Sequence, residues 1–76
     1  MIYSILDACE YILETQGGPQ SPYWFSSQMD EMRLWKANEQ KIWAALEWDI
    51  ANFGERSRFV KVADDEYALR SKATRT

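Results

Sequence analysis

Few residues in this chain have the means to do covalent chemistry. Histidine is absent and Cys9 is the only thiol. One cysteine can neither complete a zinc site nor close an internal disulfide. Cys9 falls on the apolar stripe of a helical segment with no activating cation nearby, so an inert, buried thiol is expected there. Asp64, Asp65 and Glu66 bring three acids together but lack the ligand spacing of a calcium loop, and a solvated turn is the expectation. Gly17 and Gly18 are followed by neither a GxxxxGK[ST] nor a GxGxxG pattern, so they read as a connector and not as a phosphate cradle. Paired carboxylates would need a pocket that so short a chain scarcely has room to form. A non-catalytic domain is expected, with no metal, no cofactor and no small-molecule substrate. The chemistry that remains is surface recognition by charge, amide and aromatic ring.

The charges are unevenly placed. The net charge of −3 opposes nonspecific attraction to nucleic acid when the chain is taken whole. Residues 1–32 contain no Lys or Arg, against Asp7, Glu10, Glu14, Asp30 and Glu31, whereas all nine basic residues follow from Arg33 onward against seven acids. Such asymmetry between halves can mark an interaction face. No run approaches the roughly 18 apolar residues that span a bilayer, and the N-terminus lacks the basic region of a signal peptide. An intracellular setting, cytoplasm and nucleoid or nucleus, is therefore expected, with no membrane partner.

The 76 residues make one domain near the size at which a single core is marginally sufficient. Four Trp, four Tyr and three Phe supply large buried area per residue. Ser4 to Asp7 is a capping-box pattern, with Tyr3 and Ala8 placed as a hydrophobic staple. Ile5, Ala8, Cys9 and Ile12 recur at helical spacing, which predicts a first helix from Ile5 to about Thr15. Ser21 before Pro22 starts a second helix running to about Met32, with Phe25, Met29 and Met32 on its inner side. Leu34, Trp35 and Lys36 predict a short strand or extended link that pairs with a later hairpin. Asn38 caps a third helix that Gly54 closes, with Ile42, Leu46, Asp49, Ile50 and Phe53 inward and Trp43 and Trp48 on its borders. Arg58 to Val62 and Tyr67 to Arg70 predict two strands joined by the polar turn at 63–66. Residues 1–70 form the domain and 71–76 a frayed, basic tail.

At the residue level the chain resembles the HARE-HTH family, the winged-helix module of the RNA polymerase delta subunit of Gram-positive bacteria, restriction endonuclease fusions and Asx-like chromatin proteins. The likeness is carried by DACEYIL in the first helix, Leu34 and Trp35, Leu46-x-x-Asp49-Ile50 in the third helix, and Ser57-x-Phe59-Val60 with Tyr67-Ala68-Leu69 in the hairpin. It spans roughly residues 5 to 70. Where family members often carry Thr-Pro at the start of the third helix this chain has Asn38 and Glu39, and where they often carry a wing-turn Gly it has Asp64 and Asp65. The resemblance implies an α+β winged helix-turn-helix of three helices and a two- or three-stranded antiparallel wing. It also implies a role linked to DNA or transcription. In direct binding to double-stranded DNA, the third helix would be the recognition helix, presenting Gln40, Lys41, Ala44, Glu47 and Trp48 to the major groove. Arg56, Arg58, Lys61, Arg70 and Lys72 would hold phosphates. For Arg56 and Arg58 the structural alternative is an ion pair with Asp49 that ties the wing to the helix. The competing implication is docking onto a protein of the transcription or chromatin machinery, with Trp43, Trp48, Tyr23 and Trp24 as aromatic anchors.

Overall fold

A computed structural model of the chain describes residues 2–73. Three helices, α1 (Ile5–Gln16), α2 (Pro22–Met32) and α3 (Glu39–Phe53), lead through a 3-10 turn at Gly54–Arg56 into the strands β1 (Phe59–Ala63) and β2 (Glu66–Leu69), and one helical turn, α4 (Arg70–Ala73), follows. Each long helix starts where a short polar side chain can take up an orphaned amide. Ser4 Oγ accepts from Asp7 N at 3.1 Å, Ser21 Oγ from Trp24 N at 3.2 Å, and Asn38 Oδ1 from Lys41 N at 2.8 Å. Asp7 answers by accepting from Tyr3 N at 3.0 Å, one residue before the cap. Tyr3 itself stays 72% exposed and does not close over Ala8 as the expected staple.

The helices end by different devices. Arg33 takes the left-handed conformation (φ 55°, ψ 40°) after α2, and Leu34 N then reaches back to Met29 O at 3.0 Å. This six-to-one closure normally uses Gly, and a non-Gly residue there carries some backbone strain. Gly54 ends α3 at φ 52° and ψ −121°, a combination in effect reserved for Gly.

The core is shared by every long element. Ala8, Cys9, Ile12 and Leu13 of α1 meet Phe25 and Met29 of α2, Ile42 and Leu46 of α3, and Phe59, Tyr67 and Leu69 of the hairpin. Full burial of each large side chain contributes about 1.5–3 kcal/mol relative to exposure. Without the hairpin, the third side of this cluster would face water. The hairpin is therefore part of the core and not an appendage to it.

Several expectations are narrowed or corrected. Of the two alternatives for Leu34 to Lys36 the link forms and the short strand does not, Arg33 having just turned the chain. Instead Gln20, between α1 and α2, bridges antiparallel to Tyr67, with Gln20 N to Tyr67 O at 3.0 Å and Tyr67 N to Gln20 O at 2.9 Å. The hairpin register pairs Phe59 with Leu69, Val60 with Ala68 and Lys61 with Tyr67, then slips so that Ala63 faces Glu66. Val62 is the extra residue of this bulge and is exposed, while Phe59 is buried, which fixes the inward face of β1. Phe53 lies beyond the last core contact of α3 and is 47% exposed, not inward. Arg70 to Ala73 form a helical turn where a tail was expected from residue 71, and residues 74–76 lie outside the described part.

Candidate functional site

The joint between α3 and the hairpin is built on one buried carboxylate. Asp49 accepts from Ser57 Oγ at 2.5 Å, and Ser57 Oγ accepts from Phe59 N at 3.1 Å. Both Asp49 and Ser57 are buried. The last turn of the helix is thus wired to the first residue of β1 through a single hydroxyl. Arg70, the first residue of α4, closes the same corner, its guanidinium donating to the carbonyls of Ser57 (3.0 Å), Gly54 (2.9 Å) and Phe59 (3.2 Å).

This wiring changes the roles expected of the basic residues. Neither Arg56 nor Arg58 pairs with Asp49. Arg58 reaches across to α1, with Nη1 at 2.9 Å from Asp7 and 2.6 Å from Glu10. The Arg58 hydrogen bond, with that from the Tyr3 amide, holds the Asp7 carboxyl below its ordinary range. Lys61 lies 3.0 Å from Glu47, which also accepts a short hydrogen bond from the Tyr67 hydroxyl. The Tyr67 and Lys61 contacts lower the Glu47 pKa, while desolvation followed by Glu47 itself raises that of Tyr67. Glu47 and Lys61 therefore clamp α3 onto the hairpin, and Glu47 is not a free groove reader. Arg58, Lys61 and Arg70 are each occupied within the fold.

The remaining residues of the expected face divide by position. Gln40, Lys41, Ala44 and Trp48 are exposed on α3, and Trp48 stacks edge-on against Phe53 with ring centroids 5.9 Å apart. Arg56 is exposed on the 3-10 turn. Lys72 lies elsewhere, at a cleft formed by Leu13, the Gly17 to Pro19 connector, Val62 and Ala68. The structure therefore brings together only Gln40, Lys41, Ala44 and Trp48 as one free surface.

Two open clefts flank the start of α3 and share Asn38. One, of about 670 Å³, is lined by Pro22, Glu39, Gln40, Trp43 and Asp65 and holds no basic residue. The other, of about 630 Å³, lies between α2 and α3 and carries Lys36 and Lys41 with Tyr23, Trp35, Ser27 and a single carboxylate, Asp30. Arg33 joins Trp35, Lys36 and Asp30 in an adjoining depression. Sequence reasoning passed over Arg33 and Lys36. Their signal was present in the spacing Arg33, Lys36, Lys41, the first three cations of the chain, which straddle the link between α2 and α3.

Cys9 is fully buried, and desolvation pushes its thiol up to about 12. Among the described residues no group of three His, Cys, Asp or Glu is placed to hold a metal ion, and no helix is long and apolar enough to cross a membrane. Comparison of the chain with protein-family models, with curated proteins and with solved structures finds no match.

Proposed function

We propose that this chain is a non-catalytic winged helix-turn-helix domain of the HARE-HTH kind, acting within the cell on double-stranded DNA through α3. The order α1, bridging residue Gln20, α2, α3 and hairpin is compatible with that fold, with Gln20 as a rudimentary third strand. The resemblance gains physical sense from the joint: Asp49, Ser57 and Phe59, three of the residues that carry it, are linked by hydrogen bonds at the helix-to-hairpin corner. The observation that carries the DNA reading is the exposed run of α3. Gln40, Lys41 and Ala44 stand clear on the side of α3 that a major groove would meet, and among the described residues the side chains of Gln40 and Lys41 make no hydrogen bond or ion pair. Gln40 has the amide geometry to read adenine, and Lys41 suits a phosphate or guanine. The test is binding of the 76-residue chain to a labelled duplex at two salt concentrations. Affinity should fall steeply with salt, and failure to bind at low salt would refute the reading.

Docking onto a protein of the transcription or chromatin machinery is the second reading, and a separate observation favours it. Trp43 is 48% and Trp48 59% exposed, and Phe53 and Tyr23 are exposed as well, a large aromatic area for so small a domain to leave in water. Indole NMR signals of Trp43 and Trp48 that stay fixed across candidate protein partners would count against it.

A further inference from the structure

If α3 reads a duplex, the phosphates must be held by cations that are not already spent within the fold. Among the described residues the three ion pairs of the chain consume Arg58 and Lys61, and Arg70 is bound to three backbone carbonyls. The hairpin tip adds Asp64, Asp65 and Glu66, all exposed, which would repel a phosphate backbone. Arg56, exposed on the 3-10 turn, is then, among the described residues, the cation left on the hairpin side of α3 against these three acids, so that side is the poorer place for a polyanion. On the opposite side Arg33, Lys36 and Lys41 are exposed and, among the described residues, have no carboxylate within ion-pair distance, although Asp30 lines both the cleft and its adjoining depression. That cleft also offers hydroxyls from Tyr23 and Ser27 as hydrogen-bond donors.

We infer that the cleft between α2 and α3, which carries Lys36 and Lys41, together with the adjoining depression that carries Arg33, is the phosphate-backbone clamp for duplex DNA, and that the hairpin makes no phosphate contact. This rests on the DNA reading proposed above and deepens it by fixing which flank of α3 lies along the sugar-phosphate strand. The acidic cleft beneath Glu39 and Asp65 then faces away from that strand. Asp30 tempers the field here but leaves three cations against one carboxylate across the cleft and its adjoining depression.

The experiment is fluorescence anisotropy of a labelled mixed-sequence duplex, titrated with the intact chain and its variants over a range of salt concentrations. Circular dichroism confirms that each variant folds. Removing a cation that neutralises one phosphate lowers the slope of log K against log salt by about 0.9, so Lys36→Ala with Lys41→Ala should lower it by about 1.8. Arg33→Gln added to that pair should remove roughly one further unit. Arg58→Ala and Lys61→Ala should leave the slope unchanged. An unchanged slope in the Lys36 and Lys41 double variant, with loss in the Arg58 or Lys61 variants, would overturn this assignment while leaving DNA binding intact. Absence of any wild-type binding at low salt would overturn the DNA reading, and the clamp with it.

Discussion

Replacing Ser57 by Ala probes the joint on which the placement of the hairpin depends. The substitution removes one oxygen that serves two partners, donating to Asp49 at 2.5 Å and accepting from Phe59 N at 3.1 Å. Asp49 is 7% and Ser57 4% exposed, so water reaches the vacated positions poorly. A hydrogen bond to a charged group contributes about 1.5–3 kcal/mol and a neutral one about 1 kcal/mol. The sum, roughly 2.5–4 kcal/mol, is a large fraction of the 5–15 kcal/mol stability of a typical domain. At about 4–8 °C per kcal/mol for a domain of this length, Tm should fall by at least about 10 °C. Thermal and urea melts followed by far-UV circular dichroism would measure it. Asp49→Asn, which keeps an acceptor oxygen for Ser57, should lose less than Asp49→Ala. A Ser57→Ala variant within about 0.5 kcal/mol of the wild type would refute the claim that this hydroxyl holds helix and hairpin together, since such a change is the size expected of an ordinary surface substitution.

Other outcomes follow from the same geometry. Arg70→Lys should be nearly as destabilising as Arg70→Ala in urea melts, because a single ammonium cannot reproduce the forked contact to the carbonyls of Gly54, Ser57 and Phe59. Gly54→Ala should cost about 1 kcal/mol or more in the same assay. The residue sits at φ 52° with open space around the missing Cβ, so the cost is backbone strain without a clash. The carboxyls of Asp7 and Glu47 are both lowered in the folded state. A group with a depressed folded pKa stabilises the fold above its unfolded value and loses that contribution as pH falls through the folded one. Stability measured by urea melts should therefore decline below about pH 4, and Glu47→Gln should flatten that decline. Cys9, with its thiol buried and raised to about 12, should react with a thiol reagent at pH 8 only after denaturation; rapid labelling of the native chain would contradict its place in the core.

The local signals were legible and the non-local ones were not. Ser4, Ser21 and Asn38 announce the three helix starts because a cap is a bond between residues three apart, and the structure shows each of those bonds. The inward stripe of α3 reads correctly through Ile42 and Leu46, then fails at Phe53, because periodicity says which face a residue shares but not where the neighbouring elements stop. The basic residues were the hardest to place. Arg58 finds partners 51 and 48 residues away, and Lys61 finds Glu47 only because the hairpin folds back along α3. Read along the chain, Arg58 and Lys61 are assigned to phosphates, or Arg58 to Asp49, whereas the fold pairs Arg58 with α1 and Lys61 with Glu47. Gln20 was missed for the reverse reason: its pairing uses only backbone atoms, and a connector rich in Gly and Pro carries no β pattern.

That Gln20 bridge bears on how the molecule could engage anything. The hairpin is held at one edge by the chain between two helices, and at its base by Ser57 and Arg70. A partner meeting a surface held in this way would spend little ordering entropy on association, and selectivity would then come from fit rather than adaptation. The amide protons of Gln20 and Tyr67 should then exchange with solvent no faster than those of the innermost turns of α1.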